Sequence, residues 1–217
     1  MAVRKAHKTK DDAALKSAVI AAALPHIAFD GFTDKLMDRA AKEAGASKDD
    51  WHRLFPSGAL SLLEAYSQSV DSEMEKRLAK LKITAMPVRK RIETAVKTRL
   101  AILKPNKEAA RRAVAHLSLP PNVPLGVKLV YNTVDAMWRA SGDVSTDFNF
   151  YTKRGILAGV YSATLMRWLT DDSKDECATD EFLAARIENV MQFEKLKARA
   201  KSALGRLGEM AAGSRKI

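Results

Sequence analysis

The sequence predicts an all-α protein, and three observations support this fold class. Apolar residues recur three or four positions apart along nearly the whole chain, which is the spacing of one face of a helix. Alternation of apolar and polar residues, the pattern of a half-buried strand, is nearly absent. The 217 residues include only 10 Gly and 7 Pro, and 47% are hydrophobic, so the chain can bury a core as one globular unit.

The helices can be placed from their start and stop signals. Pro25 should kink or end a first helix, because proline lacks the NH that a helix interior needs. Gly45 and Ser47 suit the end of one short helix and the N-cap of the next, and Pro87 is tolerated in the first turn of a later one. The predicted helices are Ala13 to Phe29, Thr33 to Ala44, Ser47 to Leu54, Ser57 to Leu81, a helix starting between Thr84 and Pro87, Asn106 to Leu117, Val123 to Ala140, a long helix within Gly142 to Thr170, and Thr179 to Glu194, followed by a basic segment ending near Ala212.

Two helices in the second half of the chain are unusually apolar. The helix that follows the capping cluster at Asp143 to Asp147 has no broad polar face, so it must be wrapped by protein or line an apolar cavity. The helix before it carries an apolar face from Val123 to Trp138. Together they could form a closed core or the wall of a pocket, and both interpretations remain open. Small residues leave room for close neighbours at Gly155, Ala158, Gly159, Ser162 and Ala163. The candidate lipid-binding residues are Val127, Val130, Val134, Met137, Trp138, Leu157, Val160, Tyr161, Leu165 and Trp168.

The net charge of +11 is unevenly distributed. Thirteen Lys or Arg face two acids between Lys76 and Arg112, whereas Asp171 to Glu181 carries six acids and one lysine. This asymmetry suggests an anionic partner, either nucleic acid or a lipid surface. Ordinary solvated helix faces explain a single basic run equally well.

Phe32 to Phe55 has the layout of a helix-turn-helix, which resembles the N-terminal part of tetracycline-repressor-type regulators. From Asp30 to Pro56, however, six acids outweigh five bases, and affinity for DNA depends on neutralising phosphates. A transcriptional regulator that senses an apolar ligand is therefore the second hypothesis for function. We prefer a small core that braces the rest of the chain, formed by Phe32, Leu36, Ala40, Trp51, Leu54 and Phe55.

The sequence shows no catalytic constellation. The four histidines are scattered, none is paired with Cys or Glu at the spacing of metal ligands, and no glycine-rich phosphate loop occurs. A binding protein rather than an enzyme is predicted, with no metal and no cofactor apart from a bound lipid. The single Cys177 fits a reducing compartment, and no apolar run approaches the length of a spanning helix, so we expect a cytoplasmic protein.

The C-terminal segment carries a separate signal. Leu183, Ile187 and Val190 share one helical face, but after Gln192 the apolar stripe moves to another face and is accompanied by lysines and arginines. A basic amphipathic helix is typical of segments that lie on an anionic bilayer, and docking on protein is the alternative. The candidate membrane-binding residues are Phe193, Leu196, Lys197, Arg199, Ala200, Lys201, Leu204 and Leu207.

Residues Ser141 to Ser173, reading SGDVSTDFNFYTKRGILAGVYSATLMRWLTDDS, resemble a stretch of the Coq-nine family of ubiquinone-biosynthesis lipid-binding proteins. The resemblance is strongest from about Asp135 to Met191, and weaker but collinear from Leu24 to Tyr66. It implies a tetracycline-repressor-like bundle of about nine helices plus a C-terminal amphipathic helix. We accordingly divide the chain into a helix-turn-helix-like part at 11–56, a lipid-binding helical core at 57–192 and an amphipathic basic segment at 193–217.

The resemblance also implies a function. Members of the family bind isoprenoid quinone intermediates and associate with the di-iron demethoxyubiquinone hydroxylase. We therefore expect an accessory protein of ubiquinone biosynthesis, peripheral to the inner membrane and homodimeric, that presents an isoprenoid quinone precursor or another lipid to that enzyme. By the same resemblance, Asp147, Phe150, Tyr151 and Arg154 occupy the family's partner-binding patch, with Phe150 standing where the family commonly has Trp.

Overall fold

In the computed structural model, the described part of the chain is helical and contains no strand, which confirms the all-α prediction. The structure describes residues 2–144 and 148–193, and the side chains at 11–144 and 150–193. The helices are α1 (Ala2–Ala23), α2 (Ile27–Asp30), α3 (Asp34–Glu43), α4 (Lys48–Leu54), α5 (Ala59–Lys80), α6 (Val88–Leu103), α7 (Lys107–Leu117), α8 (Val123–Ala140), α9 (Phe148–Leu169) and α10 (177–193).

The first helix begins earlier than predicted. It was expected from Ala13, but α1 starts at Ala2, because the alanines, lysines and arginine before Asp11 favour helix. The helix ends at Ala23, two residues before Pro25, as the missing proline NH requires.

The N-terminal helices enclose the predicted bracing core. Ser47 caps α4 through a capping box, in which its hydroxyl accepts from the Asp50 NH at 3.1 Å and the Asp50 carboxylate accepts from the Ser47 NH at 3.3 Å. All six residues predicted for this core are buried, namely Phe32, Leu36, Ala40, Trp51, Leu54 and Phe55. They share one cluster with Leu62 of α5, Ala109 of α7 and Leu129 of α8, so the helix-turn-helix packs on the rest of the bundle as predicted.

A second core lies among α5, α6, α8, α9 and α10. Its fully buried members include Met74, Val96, Met137 and Trp168. Most of the apolar surface of α9 is therefore wrapped by protein, as its composition requires. Within the described ranges, no helix has both the length and the apolarity needed to cross a bilayer.

The start of α10 is fixed to the end of α9 by the Asp171 carboxylate. This group accepts hydrogen bonds from the NH of Ser173 at 2.9 Å, the NH of Thr179 at 2.7 Å and the Thr179 hydroxyl at 2.6 Å. Hydrogen bonds from Ser173 and Thr179 hold the pKa of Asp171 well below its ordinary value. The first apolar stripe of the C-terminal segment packs on the second core through Leu183, Ile187 and Val190.

Part of the uneven charge of the sequence is neutralised within the fold. The acidic segment 171–181 lies against the basic helices, and Lys97 pairs with Asp180 at 2.8 Å while Lys104 pairs with Glu176 at 3.4 Å. The basic run therefore gives less support to an anionic partner than its charge alone suggested.

Candidate functional site

A cavity of about 720 Å³ is lined by residues of α5, α6, α7, α8 and α9. Protein interiors rarely contain voids larger than a water molecule, and ligand sites typically measure roughly 300–1,000 Å³. The size and composition therefore fit a site for an apolar ligand. The apolar part of its wall comprises Leu63, Leu103, Ala110, Ala113, Val114, Leu117, Val123, Val127, Leu129, Val130, Ala158, Leu165 and Met166.

The cavity includes four of the ten residues predicted for a pocket: Val127, Val130, Tyr161 and Leu165. The other six lie away from its wall. Trp138 is partly buried and donates its indole NH to the Lys153 carbonyl at 3.2 Å. The remaining five belong to the second core, namely Val134, Met137, Leu157, Val160 and Trp168. The apolar helix pair thus forms both a closed core and a cavity wall, on different faces.

Small residues form one stripe of the α9 side of the cavity. Gly155, Ala158, Gly159 and Ser162 lie three or four positions apart and share one face. A Cβ added at Gly155 or Gly159 would meet no atom within 4 Å. These small residues were expected to leave room for close neighbours, and at the two glycines that room is part of the void.

The mouth of the cavity has an apolar rim. Val127 of α8 is 64% exposed and Tyr151 of α9 is 68% exposed, and both line the cavity. Val123, Tyr131 and Met166 also combine exposure with a place in the wall. Contiguous exposed apolar surface of this kind is typical of interaction sites.

The deep end of the cavity contains a buried polar network around Arg99. Its Nε donates to the Asp71 carboxylate at 2.7 Å, its Nη2 donates to the Ser67 hydroxyl at 3.1 Å, and its Nη1 donates to the Tyr161 hydroxyl. Thr133 donates a further hydrogen bond to Asp71 at 3.0 Å. Sequence reasoning missed Arg99 because it lies in a basic run, yet the residue is only 5% exposed.

The predicted partner-binding patch divides into a buried and an exposed part. Arg154 is 3% exposed and pairs with Asp135 at 2.7 Å and with Asp143 at 3.2 Å. Its guanidinium carbon lies 3.4 Å from the centre of the Phe150 ring, which in turn makes an edge-to-face contact with Tyr151 at 5.1 Å. Arg154 therefore offers little surface to a partner, whereas Tyr151 carries the exposed part of the patch, and the contact with a partner stays a prediction.

Several predicted site residues fall outside the described part of the chain. Asp147 of the partner patch is one of them. Phe193 ends the described part of α10 and is 62% exposed. The other candidate membrane-binding residues also lie outside it, namely Leu196, Lys197, Arg199, Ala200, Lys201, Leu204 and Leu207.

The region of α8 to α10 also carries the match to known proteins. Residues 123–194 match the COQ9 family model. The bovine protein named ubiquinone biosynthesis protein COQ9, mitochondrial, is 32% identical over 194 residues, which cover 87% of this chain and 61% of the relative.

The chain resembles the COQ9 family in sequence.

Other proteins named COQ9 show a similar likeness. The human protein of the same name is 31% identical and covers 87% of this chain, and the Drosophila melanogaster protein is 29% identical and covers 84%. This chain spans about three-fifths of the length of the curated relatives it matches, 61% for both the bovine and the human protein. The COQ9 match includes the cavity wall of α8 and α9, and the aromatic pair at Phe150 and Tyr151.

The fold of this chain is that of tetracycline-repressor proteins. A TetR transcriptional regulator from Nitrosomonas europaea superposes with a TM-score of 0.65 at 19% identity, over 80% of this chain and 95% of the regulator. This likeness confirms the predicted fold.

The helix-turn-helix surface of the chain does not favour DNA. Arg53 of α4 is bound by Asp12 at 2.7 Å and Asp50 at 3.3 Å, and Arg39 of α3 is bound by Asp30 at 3.3 Å and Glu43 at 3.2 Å. These arginines are thus paired with acids of the same unit, and the geometry adds nothing to the hypothesis of a regulator.

Proposed function

We propose that this chain is an accessory protein of ubiquinone biosynthesis that binds an isoprenoid quinone precursor and presents it to the demethoxyubiquinone hydroxylase. The observation that carries the proposal is the open, largely apolar cavity of about 720 Å³ beside the COQ9-matching helices. The names of the relatives place those proteins in ubiquinone biosynthesis. The proposed role supplies binding and orientation, while the chemistry belongs to the hydroxylase.

An isoprenoid tail suits the wall of this cavity. Burying apolar carbon contributes about 0.8 kcal/mol per methylene-sized group, so a fully buried five-carbon unit contributes up to about 4 kcal/mol. The purified chain should accordingly bind a short-tailed analogue such as decylubiquinone saturably. Binding that does not saturate, or no binding, would contradict the proposal that the cavity holds the ligand.

We further propose that the basic segment 193–217 holds the protein on an anionic membrane, where such a lipid resides. A chain ending at Gln192 should bind anionic liposomes at least tenfold more weakly, because each Lys or Arg near such a surface contributes about 1 kcal/mol. Cosedimentation measures this change, with neutral phosphatidylcholine vesicles as the control. The truncated chain should still unfold cooperatively, since Leu183 and Ile187 keep α10 on the bundle. Equal cosedimentation of both chains with anionic vesicles would refute membrane recruitment by this segment.

For the hydroxylase, we propose Tyr151 as the principal contact. Tyr151→Glu should weaken the association at least tenfold, because exposed aromatic anchors carry much of the energy of protein interfaces. Stability should change by less than about 1 kcal/mol, since the ring is mostly exposed.

The matched control is Phe29→Glu, which replaces a 90% exposed aromatic residue of α2 with the same charge. Association is measured by surface plasmon resonance with the purified hydroxylase. Unchanged affinity for Tyr151→Glu, or equal loss for both variants, would argue against a patch at this position.

The homodimer stays a prediction.

A further inference from the structure

We infer that the deep end of the cavity recognises a neutral oxygen atom of the ligand's headgroup, and that the Tyr66 hydroxyl donates the hydrogen bond that determines this specificity. The inference rests on the proposed function, because it names the chemistry that the same cavity selects. Three observations carry it: a hydroxyl group of a buried tyrosine that has no partner among the described residues, two further hydroxyl hydrogens without an acceptor in the same ranges, and wall cations that are paired with carboxylates.

Tyr66 lines the cavity and is only 8% exposed. Among the residues that the structure describes, none makes a hydrogen bond to its hydroxyl group. The hydroxyl groups of buried residues normally make a hydrogen bond, because leaving one without a partner costs free energy. Since the residue borders the void, a ligand oxygen is the partner that the position lacks.

The two neighbouring hydroxyls also have hydrogens to donate. The oxygens of Ser67 and Tyr161 both accept from Arg99, so their own hydrogens must point away from the guanidinium. In the described ranges, neither hydrogen has an acceptor. Both residues line the cavity, which therefore presents three hydroxyl donors at one end.

The charges at the wall exclude an anionic headgroup. The cations found in the described lining are Arg99 and Arg154, and each is paired with carboxylates: Arg99 with Asp71, and Arg154 with Asp135 and Asp143. A phosphate would need uncompensated positive charge to leave water. A carbonyl, methoxy or phenol oxygen needs only a donor. Burial also raises the pKa of Tyr66 and of Tyr161, so both phenols keep their hydrogens at neutral pH.

The position of these donors orients the ligand. The three hydroxyl-bearing residues lie at the buried end, whereas Val127 and Tyr151 are exposed at the mouth. A ligand bonded to Tyr66 therefore holds its headgroup inside and lays its tail along the apolar wall toward the mouth.

Tyr66→Phe tests the inference, because it removes one oxygen and keeps the ring. Calorimetric titrations compare decylubiquinone with decylbenzene, which has the same alkyl chain on a ring without oxygen. We expect decylubiquinone to bind about tenfold more weakly to Tyr66→Phe than to the unchanged protein, and decylbenzene to bind both equally. Decylbenzene is the control in each titration, because its ring offers no oxygen atom to a hydroxyl group.

The outcomes separate this inference from the proposed function. If the unchanged protein binds both probes and Tyr66→Phe has no effect on decylubiquinone, or weakens both probes equally, headgroup recognition by Tyr66 is overturned while the apolar cavity stands. If the unchanged protein binds neither probe, the proposed function fails, and the inference fails with it. Tyr66-dependent binding of decyl phosphate that is tighter than that of decylbenzene would overturn the preference for a neutral oxygen.

Discussion

Replacement of Arg99 with methionine is expected to lower the free energy of unfolding by about 3–5 kcal/mol. Methionine can fill much of the aliphatic volume, but it leaves the Asp71 carboxylate buried without its cation, and Ser67 and Tyr161 without a donor. Breaking one side of a buried ion pair costs far more than the pair itself contributes, because the remaining charge has lost both water and its partner. Urea denaturation followed by circular dichroism measures the change.

The control for this effect is Arg77→Met. Arg77 pairs with Glu73 at 2.8 Å on the surface of α5, and exposed pairs one helical turn apart contribute at most about 0.5 kcal/mol. The double variant Arg99→Met with Asp71→Leu should recover part of the free energy of unfolding that Arg99→Met loses, since no unpaired charge then remains. If Arg99→Met alone lowers the free energy of unfolding by less than about 1 kcal/mol, the Asp71 carboxylate does not depend on Arg99 for its charge balance. The network described at the polar end of the cavity would then be wrong.

The second large effect is expected at Gly159, where the cavity meets α9. Gly159→Phe should weaken decylubiquinone binding at least tenfold, because the ring would occupy space in which no atom now lies within 4 Å of an added Cβ. The fold should survive, since glycine is the poorer helix former and the new side chain fills a void rather than a packed contact. Ligand titration and thermal unfolding measure the two results.

Gly159→Ala separates the loss of space from the change in backbone. A methyl group leaves most of the cavity open, so binding should be unchanged, while stability should rise by up to about 1 kcal/mol from helix propensity. If Gly159→Phe binds decylubiquinone as tightly as Gly159→Ala does, the ligand lies elsewhere.

Local sequence patterns were sufficient for the fold class and for the bracing core. Phe32, Leu36 and Ala40 have helical spacing, and the Ser47 capping box fixes where the next helix begins. These features depend on neighbours within one or two turns, which the sequence displays directly.

The wall of the cavity depends on contacts that are distant in sequence. Val130 and Val134 lie one turn apart on the apolar face of α8, yet the first faces the void and the second the core. Which of them borders the cavity is determined by the placement of α5, α6 and α7, and periodicity within α8 carries no information about that placement. The small residues of α9 were visible as a pattern, but the same pattern fits a close helix contact and an open wall.

Arg99 shows the same limit for charged residues. Its partners Asp71 and Tyr161 are 28 and 62 positions away, so in the sequence it was one more cation in a basic run. The pairing of Lys97 and Lys104 with the acidic segment 171–181 was hidden for the same reason. Net charge along the chain therefore overstated the positive surface that the folded protein offers to a partner.

The most direct test of the proposed function is mass spectrometry of lipid extracted from the purified protein. The unchanged chain should carry a neutral prenylated quinone or quinone precursor, and Gly159→Phe, purified in parallel, should carry much less of it. An unchanged chain that is free of such lipid, and that also fails to bind added decylubiquinone, would contradict the proposal that the cavity is a carrier site for an isoprenoid quinone.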